Sequence, residues 1–490
     1  MSSAAPLRLR GGRDLTVGPI GPTMLAFALP TLGQSVLQSL NGLINAMWVG
    51  RLVGETGLTA TVNANNVLFL LLAAVIGIAM ASTILIGQAI GRRDLMGAKR
   101  VLGTSVSFFA LAAAALGLVG WLAAPALLDA LGTPQAAREP AIGYMRILFA
   151  GLPVIWMLSV LSMALRGAGD AATPLRFTLL ATLLDAALVP LFVRGLGPVP
   201  GMGVPGAALA TVISTAIAVA ALVGFAYWRR FDLRLTRTDL PLLRPDPAIL
   251  RAAVTKGVPM GLQMVVVSLS GLMMMALVNR HGVQTAAAYG VAMQLWGYVV
   301  MPALAVGAAA SSMAAQNVGA GLWSRVEAVA RSGVALNTAL TMALIASIYL
   351  VQTPLMQLFL PGGDAAIAIA RRINQVGLWG HVMLGVAFVL FAVVRATGAV
   401  NPPLVILTVA LLVVRVPLAW WLEPRIGAEA VWASAPVSMA IAMVLAIAYY
   451  RHGRWREARM MREAPPGWAQ RSGAVAADAP AVPPPAATGG

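Results

Sequence analysis

The chain has 490 residues, of which 59% are hydrophobic and 10% charged, against roughly a quarter charged in an average soluble domain. That composition cannot cover a water-soluble body of this length, and the absence of cysteine removes disulfides, thiolate metal sites and thiol catalysis. The net charge of +17, carried with only three histidines, leaves a nucleic-acid binder or a membrane protein with basic loops on one side.

Twelve apolar segments follow one another near 23–49, 59–87, 102–124, 141–164, 174–193, 204–228, 257–279, 284–315, 333–353, 367–394, 403–422 and 428–450. A helical span needs about 20 apolar residues. Membrane β-strands would be near ten residues long with alternating polarity, so these segments predict helices and an all-α integral membrane protein. With the N-terminus inside, 25 of the 34 basic residues fall on the cytoplasmic side and 8 on the other, with Arg415 left inside a span. Basic residues are retained on the cytoplasmic side, so the split predicts that both termini are cytoplasmic. It also disperses the charge, and nucleic acid is not expected as a partner.

The predicted organisation is a cytoplasmic N-terminal segment (1–20), an N-lobe of six helices (21–228), a cytoplasmic linker (229–256), a C-lobe of six helices (257–457) and a disordered tail (458–490) rich in Pro and Ala. Residues 1–20 are polar and rich in Gly and Pro, and no signal peptide is expected.

The two halves repeat at an offset of about 229 residues. Leu29-Pro30-x-x-x-Gln34 recurs as Val258-Pro259-x-x-x-Gln263. Gln88-x-x-Gly91 recurs as Gln316-x-x-Gly319, and Arg166-x-x-Gly169-x-x-x-x-Pro174 as Arg395-x-x-Gly398-x-x-x-x-Pro403. Three matches in one order indicate duplication. Six spans per half make the repeats parallel, with a central cavity expected between them. Pro30 and Pro259 interrupt the backbone bonding of their helices and are candidate hinges or static bends.

Once loop charges are assigned, two fully ionisable side chains lie deep in spans, Asp185 and Arg415, with His381 a weaker third. An intramembrane charge costs about 3 kcal/mol on insertion scales, which makes each a functional candidate. Asp185 lies about 16 Å from one end of its span and about 13 Å from the other, at 1.5 Å per residue. A carboxyl group away from bulk water suits reversible protonation, and it also suits a sodium ion or a substrate cation. Gln34, Gln38, Asn41 and Asn45 are spaced 4, 3 and 4 apart, so they share one face of the first helix. With Asn66 they predict a polar N-lobe cavity, or else interhelical amide contacts. In the C-lobe, Gln263, Met264, Gln294 and Tyr298 are candidates for the substrate wall, since methionine suits varied apolar ligands. Arg415 is a further candidate there, pairing with Asp185 across the cavity or capping carbonyls within its lobe.

The motifs Asn45-x-Met47-Trp48-Val49-Gly50-Arg51, the paired Gln-x-x-Gly and Arg-x-x-Gly-x-x-x-x-Pro turns, Gly206-Ala-Ala-Leu-Ala-Thr211 and Arg415-Val-Pro-Leu418 resemble those of the multidrug and toxin extrusion (MATE) transporters over residues 16–457. The resemblance implies cation-coupled export of organic, chiefly cationic, drugs or metabolites by alternating access in an inner membrane. It also implies a cation site at Asp185 and Asn45 completed by Thr211. The chain departs from the pattern: Asn45 stands where the family carries an acid, and Asp185 and Val189 stand where it carries Asn then Asp. Val267 replaces a coupling acid of one branch. One carboxylate with amides favours a proton over sodium as the coupling ion, with sodium at Asp185 the alternative and no other metal site indicated.

A monomer in the lipid bilayer is expected. A lipid-linked saccharide flippase and a non-transporting scaffold are the rival readings. With no His/Cys/carboxylate cluster, nucleotide loop or nucleophile elbow, neither an enzyme nor a cofactor is expected.

Overall fold

Capping residues and turn glycines divide the apolar sequence into helices. The structure, a computed structural model, describes residues 9–195, 200–359 and 364–461, without the side chains at 63, 66, 67, 69–74, 358, 359 and 364. In chain order the helices are α1 (Ile20–Leu52), α2 (Glu55–Gly91), α3 (Leu95–Ala130), α4 (Gln135–Gly167), α5 (Ala172–Arg194), α6 (Val204–Trp228), α7 (Pro247–Asn279), α8 (Val283–Gly319), α9 (Trp323–Phe359), α10 (Asp364–Thr397), α11 (Asn401–Ile426) and α12 (Glu429–His452). Eleven are long and apolar enough to cross a membrane, and the described part of α2 adds a shorter apolar helix, Val75–Gly91. Most run past the apolar segments at one or both ends, because caps rather than hydropathy set helix ends, while α6 coincides with its segment. Asp94 accepts a hydrogen bond from the Gly97 amide (2.8 Å) ahead of α3. Asp246 accepts from the Ala248 and Ile249 amides (2.9 and 3.4 Å) with Pro247 in the first turn of α7.

That cap starts α7 at Pro247, well inside the 229–256 stretch predicted as linker. The hydrophilic residues there are the first turns of the helix, extending beyond its apolar stretch. The predicted tail also starts late. Met460 is 3% exposed, and Arg459 lies so close to Gly398 that a Cβ there would sit 2.5 Å from its carbonyl carbon. The rest of the tail, 462–490, lies outside the described residues.

Within the first half α3 packs along α4, α5 along α6 and α1 along α5; in the second, α10 packs against α8, α9 and α12. The lobes meet where α2 lies along α7 and α8, and α1 along α8. Small residues permit a close crossing: a Cβ on Gly77 of α2 would sit 2.3 Å from the Gly257 carbonyl oxygen of α7, the approach that membrane helices gain from glycine. α11 contains one π turn, Val409–Val414, just before Arg415. Pro417 follows and supplies no amide for the carbonyl four residues earlier, and the hydroxyl of Ser270 donates to the Leu411 carbonyl (3.1 Å).

Candidate cation site and linker-end gate

Three helices of the N-lobe converge on Asp185. It is carried by α5 and is 2% exposed. Thr211 on α6 donates its hydroxyl to Asp185 Oδ1 (3.0 Å). The same hydroxyl lies 3.2 Å from the Ala207 carbonyl one turn earlier, so its single proton has two acceptors. Asn45 on α1 donates from Nδ2 to Thr211 Oγ1 (3.4 Å). Asn41 and Ser214 lie beside the same carboxylate, the Ser214 hydroxyl donating to the Thr211 carbonyl (3.0 Å). The structure therefore brings Asp185, Asn45 and Thr211 into one cluster.

Asp185 is covered by this polar shell and does not open directly onto a wet crevice. The carboxylate is ringed by neutral hydroxyl and amide groups rather than by a charged partner. Asn41 and Asn45 are half-buried, and the neighbouring Gln38 is exposed, so the shell is thinnest towards α1.

Other predicted cavity residues divide. Gln34 is 7% exposed and donates to Thr178 Oγ1 on α5 (3.0 Å). Gln263 is 2% exposed, accepts from Arg395 Nη1 (2.9 Å) and donates to the Val400 carbonyl (3.4 Å). Both are helix-to-helix contacts rather than cavity walls, because inside a lobe an amide satisfies buried polar groups better than an apolar side chain would. Asn41 belongs with Asp185. Gln294 is exposed and donates to the Tyr298 hydroxyl one turn on (3.1 Å), and Met264 is half-buried. The side chain of Asn66 lies outside the described residues.

Arg415 is enclosed in the C-lobe at 7% exposure, among Tyr289 (0%) and His381 (5%). His381 Nδ1 lies 3.1 Å from the Gly377 carbonyl, its ring 5.2 Å from that of Trp296, and the Trp296 indole donates to Asn374 Oδ1 (3.0 Å). Among the described residues Arg415 forms no ion pair with Asp185. Equal depth in two repeats places side chains at one level without making them face each other.

The sequence motifs that mark the repeat build a second feature. At the end of the molecule that carries the linker, Gln88 from the end of α2 donates to the Ala396 carbonyl near the end of α10 (2.8 Å). Gln316 from the end of α8 donates to the Gly167 carbonyl at the end of α4 (3.1 Å). Each half thus reaches into the other and satisfies a carbonyl at a helix C-terminus, where backbone acceptors lack intrahelical partners. The glycines of the same motifs make the approach sterically allowed: a Cβ on Gly91 would sit 1.9 Å from the Gln316 carbonyl oxygen, and one on Gly319 2.1 Å from that of Gln88. Gln316 Oε1 also accepts from the Leu15 amide (2.8 Å), Asn317 donates to the Leu15 carbonyl (3.2 Å) and Arg325 to the Gly18 carbonyl (3.1 Å). The lobes are latched at the linker end.

The fold is thus two six-helix halves latched at one end, with Asp185 enclosed in one of them. The chain belongs to the MatE family, whose model matches residues 30–191 and 259–421, which agrees with the resemblance read from the motifs. A relative described as "Probable multidrug resistance protein YoeA", from Bacillus subtilis, is 34% identical over 90% of this chain and 95% of its own length. Another, "Probable multidrug resistance protein NorM" from Thermotoga maritima, is 23% identical over 90% of this chain and 94% of its own. A solved structure titled "Outward-facing conformation of a multidrug resistance MATE family transporter of the MOP superfamily" superposes with a TM-score of 0.81 at 22% identity, covering 89% of this chain and 96% of that one.

Proposed function

We propose that the protein is a multidrug efflux antiporter in which Asp185 carries the coupling cation, a proton in preference to sodium. The observation that carries this reading is the enclosed cluster of Asp185, Thr211 and Asn45. When Asp185 is ionised, Thr211 donates to it. When a proton arrives, the carboxyl group donates to Thr211 Oγ1, and the Thr211 hydroxyl turns to the Ala207 carbonyl 3.2 Å away. The bond between α5 and α6 reverses direction while Asn45 keeps its contact on α1, so titration at one atom is felt by three helices of the lobe. A sodium ion would take the same oxygens, with one formal charge to offset its dehydration.

With the linker and termini cytoplasmic, as the charge distribution predicts, the latched end is the inner one and the state described is closed to the cytoplasm. The substrate reading rests on the relatives' names and on Gln38, Gln294, Tyr298 and Met264, none of which is fully buried. It extends to organic cations small enough to enter between the lobes. The flippase reading loses its candidate cavity cation, since Arg415 sits inside the C-lobe.

The test is transport of a fluorescent organic cation by the purified protein in vesicles, with either a proton or a sodium gradient imposed. Accumulation driven by the proton gradient alone supports the reading. Accumulation driven by sodium alone reassigns the ion, and accumulation indifferent to both gradients overturns the antiport mechanism.

A further inference from the structure

Beyond the transport path, the N-lobe carries a basic cavity at its linker end that the mechanism does not use. It has a volume of about 540 Å³. Its basic wall comes from three places in the sequence: Arg10 and Arg13 from the N-terminal segment, Arg176 from the first turns of α5 and Arg229 just after α6. Asp170 is the acidic residue in the wall, and its oxygens already accept from the Ala172 and Thr173 amides (3.0 and 2.9 Å). Among the described residues Arg10, Arg13 and Arg176 are in no salt bridge. Arg229 lies over the Phe225 and Trp228 rings at 5.8 and 5.5 Å.

The arginines are held in place by the backbone. Arg10 donates its amide to Asp232 Oδ2 (2.8 Å) and accepts from the Asp232 amide (3.0 Å), and the Arg13 amide donates to the Ala168 carbonyl (3.1 Å). Gly11 and Gly12 between them lie flat on the lobe: a Cβ on Gly11 would sit 2.2 Å from the Phe231 ring, and one on Gly12 2.5 Å from the Ala168 carbonyl oxygen. The strap then continues into the latch at Leu15.

Phe231 has a second role. It also borders an apolar cavity of about 200 Å³ between α3, α4 and α6, bounded by Val106, Met157, Leu161, Leu222 and Val223. From Leu165 to Met157 this groove runs about 12 Å along α4, at 1.5 Å per residue. Trp228, 75% exposed at the end of α6, marks the depth at which aromatic residues sit at a membrane interface. A cluster of guanidinium groups at the interface, sharing the Phe231 wall with an apolar groove that runs along the spans, matches an anionic phospholipid. Guanidinium groups bind phosphate through paired hydrogen bonds, and basic pockets between membrane helices take anionic headgroups.

We propose that this double cavity binds an anionic phospholipid, with the phosphate among Arg10, Arg13, Arg176 and Arg229 and an acyl chain in the groove behind Phe231. The full-length protein, delipidated in detergent, is titrated with phosphatidylglycerol, phosphatidylcholine or inorganic phosphate, and bound lipid is counted by native mass spectrometry. The expected result is preferential retention of phosphatidylglycerol. Substituting Arg13→Gln with Arg176→Gln, both exposed, weakens that retention about thirtyfold, at the usual contribution of a basic residue near an anionic headgroup, with phosphatidylcholine unchanged. Val223→Trp, which fills the groove from its exposed lip, weakens phosphatidylglycerol while leaving the arginines intact. Equal retention of both lipids, or undiminished phosphatidylglycerol in the double variant, overturns the proposal. Phosphate binding as tightly as the lipid, or indifference to Val223→Trp, overturns the lipid and leaves an anion site.

Discussion

The reciprocal glutamines make a quantitative prediction. Replacing Gln88 and Gln316 together by alanine removes three short bonds, to Ala396, to Gly167 and the one Gln316 accepts from Leu15, along with a long contact of 3.5 Å to the Arg13 carbonyl. A net hydrogen bond contributes about 1 kcal/mol. In the state open at this end water takes over the freed groups, so the loss falls on the latched state alone. Three bonds give about 3 kcal/mol, a shift of about 150-fold in the ratio of latched to open protein. The chain has no cysteine, so spin labels go directly onto introduced cysteines. Leu131 and Val283, 49% and 86% exposed, sit at the far end of the N-lobe and the C-lobe. Electron–electron double resonance between them should show one dominant long distance in the parent and a large population at shorter distance in the double variant, as the far end closes while the linker end opens. An unchanged distance distribution in a folded double variant refutes the latch.

Further consequences follow from other contacts. Gly91→Ala puts a methyl group against the Gln316 carbonyl and should open the same latch, giving the same short-distance population; a parent-like distribution contradicts the close approach. Thr211→Val removes the hydroxyl that turns between Asp185 and Ala207, and gradient-driven transport should fall at least about tenfold, from about 1.5 kcal/mol at the low end for a hydrogen bond to a charged partner, whereas Thr211→Ser should retain most of it. At the linker, Nζ of Lys99 on α3 lies 2.7 Å from Asp239 Oδ2, and this partner with the Thr236 bonds lowers the Asp239 pKa to about 2. The linker contact then contributes stability that is full above the ordinary carboxylate value near 4 and is lost as pH falls towards 2. Asp239→Asn should flatten that acid limb of the thermal-unfolding profile, and an unchanged limb contradicts the assignment.

The helices and their duplication were legible because a bilayer demands long apolar runs and parallel repeats leave motif copies in register. The cluster at Asp185 was legible because a charge in lipid is costly and rare; Ser214 was not, since a serine in a membrane helix can satisfy itself on its own backbone. The amide stripe on α1 misled for Gln34. Period alone places four side chains on one face, and only packing decides that Gln34 and Asn41 meet α5 partners while Gln38 stays exposed. The Gln-x-x-Gly turns were visible as repeat marks, but their role depends on a contact across more than two hundred residues of sequence, which no local pattern encodes. Arg415 was legible as a charge inside a span, whereas its enclosure beside Tyr289 within the C-lobe rests on packing that no local pattern encodes.

We propose that the Asp185 carboxyl group carries the coupling cation. The direct test is vesicle transport of a fluorescent organic cation by Asp185→Asn, measured both under an imposed ion gradient and as gradient-free exchange across the membrane. The account predicts that gradient-driven accumulation falls to the level of protein-free vesicles while exchange persists, since the amide keeps its shape and its contact with Thr211 but neither titrates nor carries charge. Gradient-driven accumulation equal to the parent's would contradict it.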